Sequence, residues 1–193
     1  MAVRAVFLVG FMASGKTTVA RELARRLDWD FVDLDARIES RERLTIPQIF
    51  RNRGESAFRL AETSALRDLT KSLERNTVVA LGGGTFAQPK NRELLGSWPS
   101  VFLELPLDEL WRRTLEDPTK RPLRKENLTD FARLYESRLP FYRQATMTVV
   151  TSGKGDPASV CGEIERKLQL RDGEKFSESS LHPAANFGTG ESQ

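Results

Sequence analysis

The chain has 193 residues, enough for one compact domain with a single sizeable core. Charged residues make up 30% and hydrophobic ones 39%, an ordinary globular balance, and no apolar run approaches the ~20 residues that span a bilayer. The formal net charge of +3 comes from arginines spread among acidic residues, which argues against a nucleic-acid partner and leaves small anions as the expected ligands.

Short apolar runs alternate with longer amphipathic ones, the pattern of an α/β fold with crossover helices. Residues 3–10 read as a buried first strand, since the apolar stretch runs straight into a glycine-rich loop and has no convincing signal cleavage site. Residues 16–27 read as a helix with Val19, Ala20, Leu23, Ala24 and Leu27 on one face. A short strand over 30–33 ends in Asp33-Leu34-Asp35. Two short helices over 36–43 and 46–53 follow, Pro47 being tolerated in the first turn of the second, and then a longer helix over 55–73. The third strand, 77–81, halts at Gly82-Gly83-Gly84; the fourth, 100–105, leads into a helix over 107–115. Residues 116–127 are polar, contain Pro118 and Pro122, and carry Lys120, Arg121, Arg124 and Lys125, the composition of a loop that orders on demand. Helix returns over 128–143, broken or bent at Pro140, before a fifth strand over 146–151 and a closing helix over 157–170. From residue 171 the chain is polar and is expected to be a disordered tail over 171–193.

Gly10-Phe11-Met12-Ala13-Ser14-Gly15-Lys16-Thr17 matches G-x-x-x-x-G-K-[ST] in full, with a strand before it and a helix after it. Glycines let successive N–H groups turn inward around phosphate oxygens, and the helix N-terminus adds partial positive charge. Lys16 can reach the β- and γ-phosphates, and the Thr17 hydroxyl can hold Mg²⁺. The motif does not choose the phosphate acceptor, because GTPases, ATPases, nucleotide kinases and metabolite kinases all share it.

Asp33 and Asp35 fall at the carboxyl end of the second strand, where open α/β sheets place ligands. If strand geometry persists, both carboxylates point the same way: one would steady Mg²⁺ and the other accept from a substrate hydroxyl. The plainer alternative is that Asp35 caps the next helix. Gly82-Gly83-Gly84 is costly in backbone entropy, and close approach of a ligand to the backbone would explain it. No acidic residue ends the third strand, so Asp33 is the natural Mg²⁺ partner. An arginine from the 116–127 loop would neutralise charge on a transferring phosphoryl group. Cys161 has no partner for an internal disulfide, which favours a reducing cytoplasm and a packing role on a late helix. His182, the only histidine, lies in the tail, so a histidine metal site or a Ser-His-Asp triad is excluded.

Taken together, these residues resemble the shikimate kinase family over about residues 3–168. The resemblance rests on ordered motifs: G-F-M-A-S-G-K-T, D-L-D, G-E-S-A-F-R, L-G-G-G-T, R-P-L in the lid, and R-L-P-F-Y-R before the last strand. It implies a nucleoside-monophosphate-kinase-like P-loop fold over 1–170, with a five-stranded parallel sheet, a helical substrate-binding segment and a lid over 116–127. It also implies ATP and shikimate as substrates, Mg²⁺ as cofactor, and a cytoplasmic monomer.

In that family reading Lys16, Asp35 and Arg121 are catalytic. ATP contacts come from Ala13, Ser14, Gly15, Lys16, Thr17 and Thr18, with Arg113 and the 154–156 turn on either side of adenine and Arg121, or Arg124, in the lid. Asp35, Arg59, Gly82, Gly83, Gly84 and Arg138 bind shikimate, and Thr17 and Asp33 serve the metal. The chemistry agrees, since two arginines grip a carboxylate bidentately where lysines do so less well. A gluconate-type kinase would share the P-loop and lid without needing two such arginines. A non-catalytic nucleotide-binding module would be expected to lose Lys16, Asp35 or the lid arginines, and all are present.

Overall fold

Ala5–Val9 are apolar without interruption and all buried, because strand β1 lies at the centre of a sheet covered on both faces. Strands β2 (Asp30–Asp33), β3 (Thr77–Ala80), β4 (Ser100–Glu104) and β5 (Met147–Val150) join it in the order β2-β3-β1-β4-β5, every pair parallel. The connecting helices are α1 (Lys16–Leu27), α2 (Leu34–Glu42), α3 (Ile46–Lys71), α4 (Pro89–Leu95), α5 (Leu107–Glu116), α6 (Leu128–Tyr142) and α7 (Pro157–Leu168). This is the P-loop architecture of the nucleoside-monophosphate-kinase type. The computed structural model describes residues 4–116, 127–152 and 155–170. The expected lid with Lys120, Arg121, Arg124 and Lys125, the turn residue Lys154, and the tail with His182 lie outside them. Among the described residues no helix is long and apolar enough to cross a membrane.

Register explains why the site forms where it does. Leu8 of β1 and Asp33 of β2 both stand level with Ala80 of β3, so three strands end at one height. The chain first builds on one side of β1 and then crosses to the other, which opens a crevice beyond the carboxyl ends. The segments that follow, at 10–15, 34–35 and 81–84, are therefore neighbours.

Four elements depart from the sequence pattern. The two helices expected over 46–53 and 55–73 run together in α3, but Gly54 between them is not helical (φ 79°, ψ 173°). That backbone region is open to glycine almost alone, so the break in the pattern is real and the two segments meet at a kink. Helix α2 starts two residues earlier than expected because Asp33, not Asp35, caps it. A 3₁₀ turn at Thr85–Ala87 and the seven-residue helix α4 were not expected; they are too short for periodicity to reveal. Pro89 in the first turn of α4 and Gly96 at its end are its only sequence marks.

Part of the core lies beneath α1 and α7. Val19, Ala20, Leu23 and Ala24 form the buried face of α1, while Val160, Cys161 and Ile164 do the same on α7. Full burial of each large aliphatic side chain is worth ~1.5–3 kcal/mol. Cys161 points its Sγ at the Val19 carbonyl, 3.6 Å away, and burial pushes its thiol up to about 11. It is a packing residue.

Candidate active site

The loop between β1 and α1 is wound by three residues with positive φ, Gly10 (151°), Ala13 (62°) and Gly15 (85°). Gly15 is the N-cap of α1, so the first N–H groups of the helix face the loop without helical acceptors. Lys16 is only 7% exposed. Its Nζ donates to the Phe11 carbonyl (2.7 Å) and the Ser14 hydroxyl (3.3 Å), which folds the ammonium group back over the loop.

A cleft of about 360 Å³ opens in front of this loop. Lys16, Thr17, Asp33, Asp35 and Gly83 line it, together with Arg113. Asp33 divides its carboxylate between two tasks. Oδ1 accepts from the N–H groups of Asp35 (3.0 Å) and Ala36 (3.3 Å), which caps α2, and Oδ2 accepts from the Thr17 hydroxyl (2.8 Å). Strand geometry therefore does not continue to Asp35, which stands instead in the first turn of α2. Both carboxylates still reach the cleft.

The glycine triplet is hemmed in by the protein's own atoms. A Cβ on Gly82 would lie 2.6 Å from Asp35 Oδ1, and one on Gly84 would lie 2.7 Å from Arg59 Nη1. A Cβ on Gly83 would meet the Met12 N–H group of the P-loop at 3.3 Å. The close approach is by the protein's own side chains and loop. Asp35 and Arg59 flank one short backbone segment, and side chains there would push them aside.

Arg59, Gly82, Gly84 and Arg138 do not line the cleft. They connect to it through Gly83, whose carbonyl accepts from Arg138 Nη1 at 3.3 Å. Arg59 is held inside its own helix, with Nη1 on Glu62 (2.9 Å) and Nε and Nη2 on Glu55 (3.3 and 3.1 Å). Burial pulls the Arg59 pKa down, but Glu62 and Glu55 outweigh it and leave the group above its ordinary value.

Glu62, unassigned by the sequence reading, is the hub of this side. It is fully buried, and besides Arg59 it accepts from Thr85 Oγ1 and Gln88 Nε2, each at 2.6 Å. Its i,i+3 spacing from Arg59 on a helix face with Phe58 and Ala65 was the available signal. Tyr142, within R-L-P-F-Y-R, was also missed; its hydroxyl donates to the Gly83 carbonyl.

A second cleft of about 280 Å³ adjoins the first and shares Gly15, Thr18 and Arg113 with it. Leu103, Thr151, Gly155 and Pro157 form its far wall. Arg113 is steered by Glu109, which accepts from its Nε at 2.8 Å, and Nη1 lies 3.5 Å from the Ala13 carbonyl. Hydrogen bonds from Arg112 and Arg113 hold the Glu109 carboxyl down to about 2. Ser14, whose hydroxyl accepts from Lys16, also lines this cleft. Arg121 and Arg124 lie outside the described residues.

Thr17 and Asp33 supply hard oxygen donors 2.8 Å apart. Mg²⁺ is held through one or two such groups plus substrate phosphates rather than by an all-protein cage. The donor set fits that ion.

The family model for shikimate kinase matches residues 12–169. The chain belongs to the shikimate kinase family. It is 43% identical over 166 residues to a shikimate kinase of Thermus thermophilus, covering 84% of this chain and 89% of that one. It is 39% identical over 166 residues to that of Aromatoleum aromaticum, covering 85% and 94%. The solved structure of shikimate kinase from Acinetobacter baumannii in complex with shikimate superposes with a TM-score of 0.81 at 35% identity, over 90% of this chain and 97% of that chain. The cleft in front of the P-loop and the side that holds Arg138 meet at Gly83.

Proposed function

We propose that the chain transfers the γ-phosphoryl group of ATP to the 3-hydroxyl of shikimate, giving shikimate 3-phosphate and ADP. The observation that carries this reading is the convergence on one glycine triplet. Its first residue abuts Asp35, its second abuts the P-loop, and its third abuts Arg59.

The residue roles follow from charge and placement. Backbone N–H groups of residues 13–18 cradle the β-phosphate, and Lys16 neutralises charge on the β- and γ-phosphates. Thr17 and Asp33 would hold Mg²⁺, which supplies charge neutralisation at the phosphates. Arg113 and the second cleft receive the adenine end. Arg59 and Arg138 bind the acceptor's carboxylate, and Asp35 with the Gly82–Gly84 backbone binds its hydroxyls. Asp35 orients the attacking oxygen and takes its proton as the new O–P bond forms and the bond to ADP breaks. The transition state is loose, so positioning and neutralisation outweigh the strength of the base. By the family resemblance, Arg121 in the lid adds charge over the phosphates, with Arg124 as its alternative. A domain over 1–170, a dispensable tail, a monomer and a cytoplasmic setting belong to the same reading.

A coupled ADP-release assay over a panel of small hydroxy acids tests the function. Shikimate is expected to be the preferred acceptor. Preference for gluconate, or ADP release independent of any acceptor, would contradict it.

A further inference from the structure

Tyr142 lines neither cleft. Its ring is fully buried and stacks on Phe102 of β4, with centroids 5.2 Å apart. A phenol hydroxyl in such surroundings needs a partner, and this one donates to the Gly83 carbonyl. Burial pushes its pKa up to about 12, so it remains a donor. Arg138, on the preceding turn of α6, sends Nη1 to the same oxygen at 3.3 Å. A carbonyl has two lone pairs, and here both are engaged from a single helix.

The opposite side of Gly83 is also constrained. A Cβ there would stand 3.3 Å from the Met12 nitrogen, so the residue is wedged between α6 and the P-loop. In a trans peptide the N–H of the next residue points opposite to the carbonyl. Fixing the Gly83 carbonyl therefore fixes the direction of the Gly84 N–H. Among the described residues no protein group accepts from that N–H, which leaves it available to a ligand.

We infer that Tyr142 is a positioning residue for phosphoryl transfer: its hydroxyl locks the Gly83–Gly84 peptide and so aims the Gly84 N–H and the Arg138 guanidinium at the acceptor. The inference rests on the reading of this side as the acceptor pocket. With the hydroxyl gone, Arg138 alone would restrain the carbonyl, and the peptide gains freedom to rotate.

The test is Tyr142→Phe, which keeps the ring and its stacking on Phe102. We expect kcat/KM for shikimate to fall about tenfold, the scale of one hydrogen bond, with the KM for ATP within about twofold of wild type. The Gly84 amide signal in proton–nitrogen correlation spectra of the ligand-free protein is expected to move, because its nitrogen shares a peptide with the Gly83 carbonyl. An unchanged kcat/KM for shikimate overturns the inference. So does equal loss for both substrates together with a lowered Tm, the mark of mere packing. If wild-type protein leaves shikimate unmodified, the functional reading fails by itself; an unmoved Gly84 signal would then overturn the positioning role, and a moved one would support it.

Discussion

Glu62 receives the Arg59 guanidinium at 2.9 Å within one helix while accepting from Thr85 and Gln88 across the fold at 2.6 Å each. Three donors converge on a carboxylate only 1% exposed. A buried pair of this kind is weak evidence for stability but strong evidence for position. Glu62→Gln keeps the volume and places an amide among donors. It is expected to cost ~2–3 kcal/mol in chemical denaturation and to raise the shikimate KM about tenfold or more. Wild-type KM in that variant would show that Arg59 is aimed by something else.

Under the proposed roles, substitutions in the glycine triplet are expected to separate turnover from binding. The atoms nearest a new Cβ at Gly82 and Gly84 are the ends of the Asp35 and Arg59 side chains, with Thr85 Oγ1 (3.0 Å) and Glu62 Oε1 (3.2 Å) also close at Gly82. Gly82→Ala is therefore expected to lower kcat by about a hundredfold, since displacement by an ångström has that effect on positioned groups. Gly84→Ala should act mainly on the shikimate KM. Steady-state kinetics on the two variants checks the split, and equal effects on both constants would argue against it.

Asp33 caps a helix and bonds Thr17, and the two tasks are separable. Asparagine caps as well as aspartate but carries no charge, so Asp33→Asn should leave thermal stability near wild type while raising the Mg²⁺ concentration needed for half-maximal rate. Asp33→Ala should in addition lose ~1 kcal/mol of stability. A Mg²⁺ requirement unchanged in Asp33→Asn would remove this residue from the metal's surroundings.

Burial raises the pKa of both Tyr135 and Tyr142, the latter to about 12. These are the chain's only tyrosines. A raised folded-state pKa means the neutral phenol contributes stability fully below the unfolded value of 10, and that contribution fades as pH rises through about 12. Near-ultraviolet titration of the folded protein should accordingly show Tyr142 ionising well above pH 10, and the stability gap between wild type and Tyr142→Phe should narrow between pH 10 and about 12. Tyrosinate forming at the ordinary pKa would contradict the buried hydroxyl contact.

Much of this site was legible in the sequence because its signals are local. The P-loop is an eight-residue pattern, the apolar run Ala5–Val9 announces a central strand, and Gly54 marks the kink in α3. What could not be read depends on contacts between distant segments. Glu62 reaches Thr85 across 23 positions, and Tyr142 reaches Gly83 across 59. The triplet at 82–84 was recognised as a close approach, but which atoms approach is a property of the folded chain: Asp35 from α2, Met12 from the P-loop and Arg59 from α3. Likewise, only the structure shows that Asp33 rather than Asp35 caps α2, since both spacings are compatible with a cap.

The proposed roles divide catalysis and acceptor binding between Asp35 and Arg59. Asp35→Asn is expected to lower kcat by about a hundredfold or more with little change in ATP affinity, while Arg59→Ala should chiefly weaken acceptor binding. Wild-type turnover in Asp35→Asn would exclude that carboxylate from the chemistry.

Group transfer between two specific molecules is observed directly by phosphorus NMR. With purified protein, ATP, Mg²⁺ and shikimate, the γ-phosphate signal should decay as a phosphomonoester signal and ADP grow together, and no phosphomonoester should form without shikimate. An ATP spectrum that stays unchanged in the presence of shikimate, or decays only to inorganic phosphate, would contradict the claim.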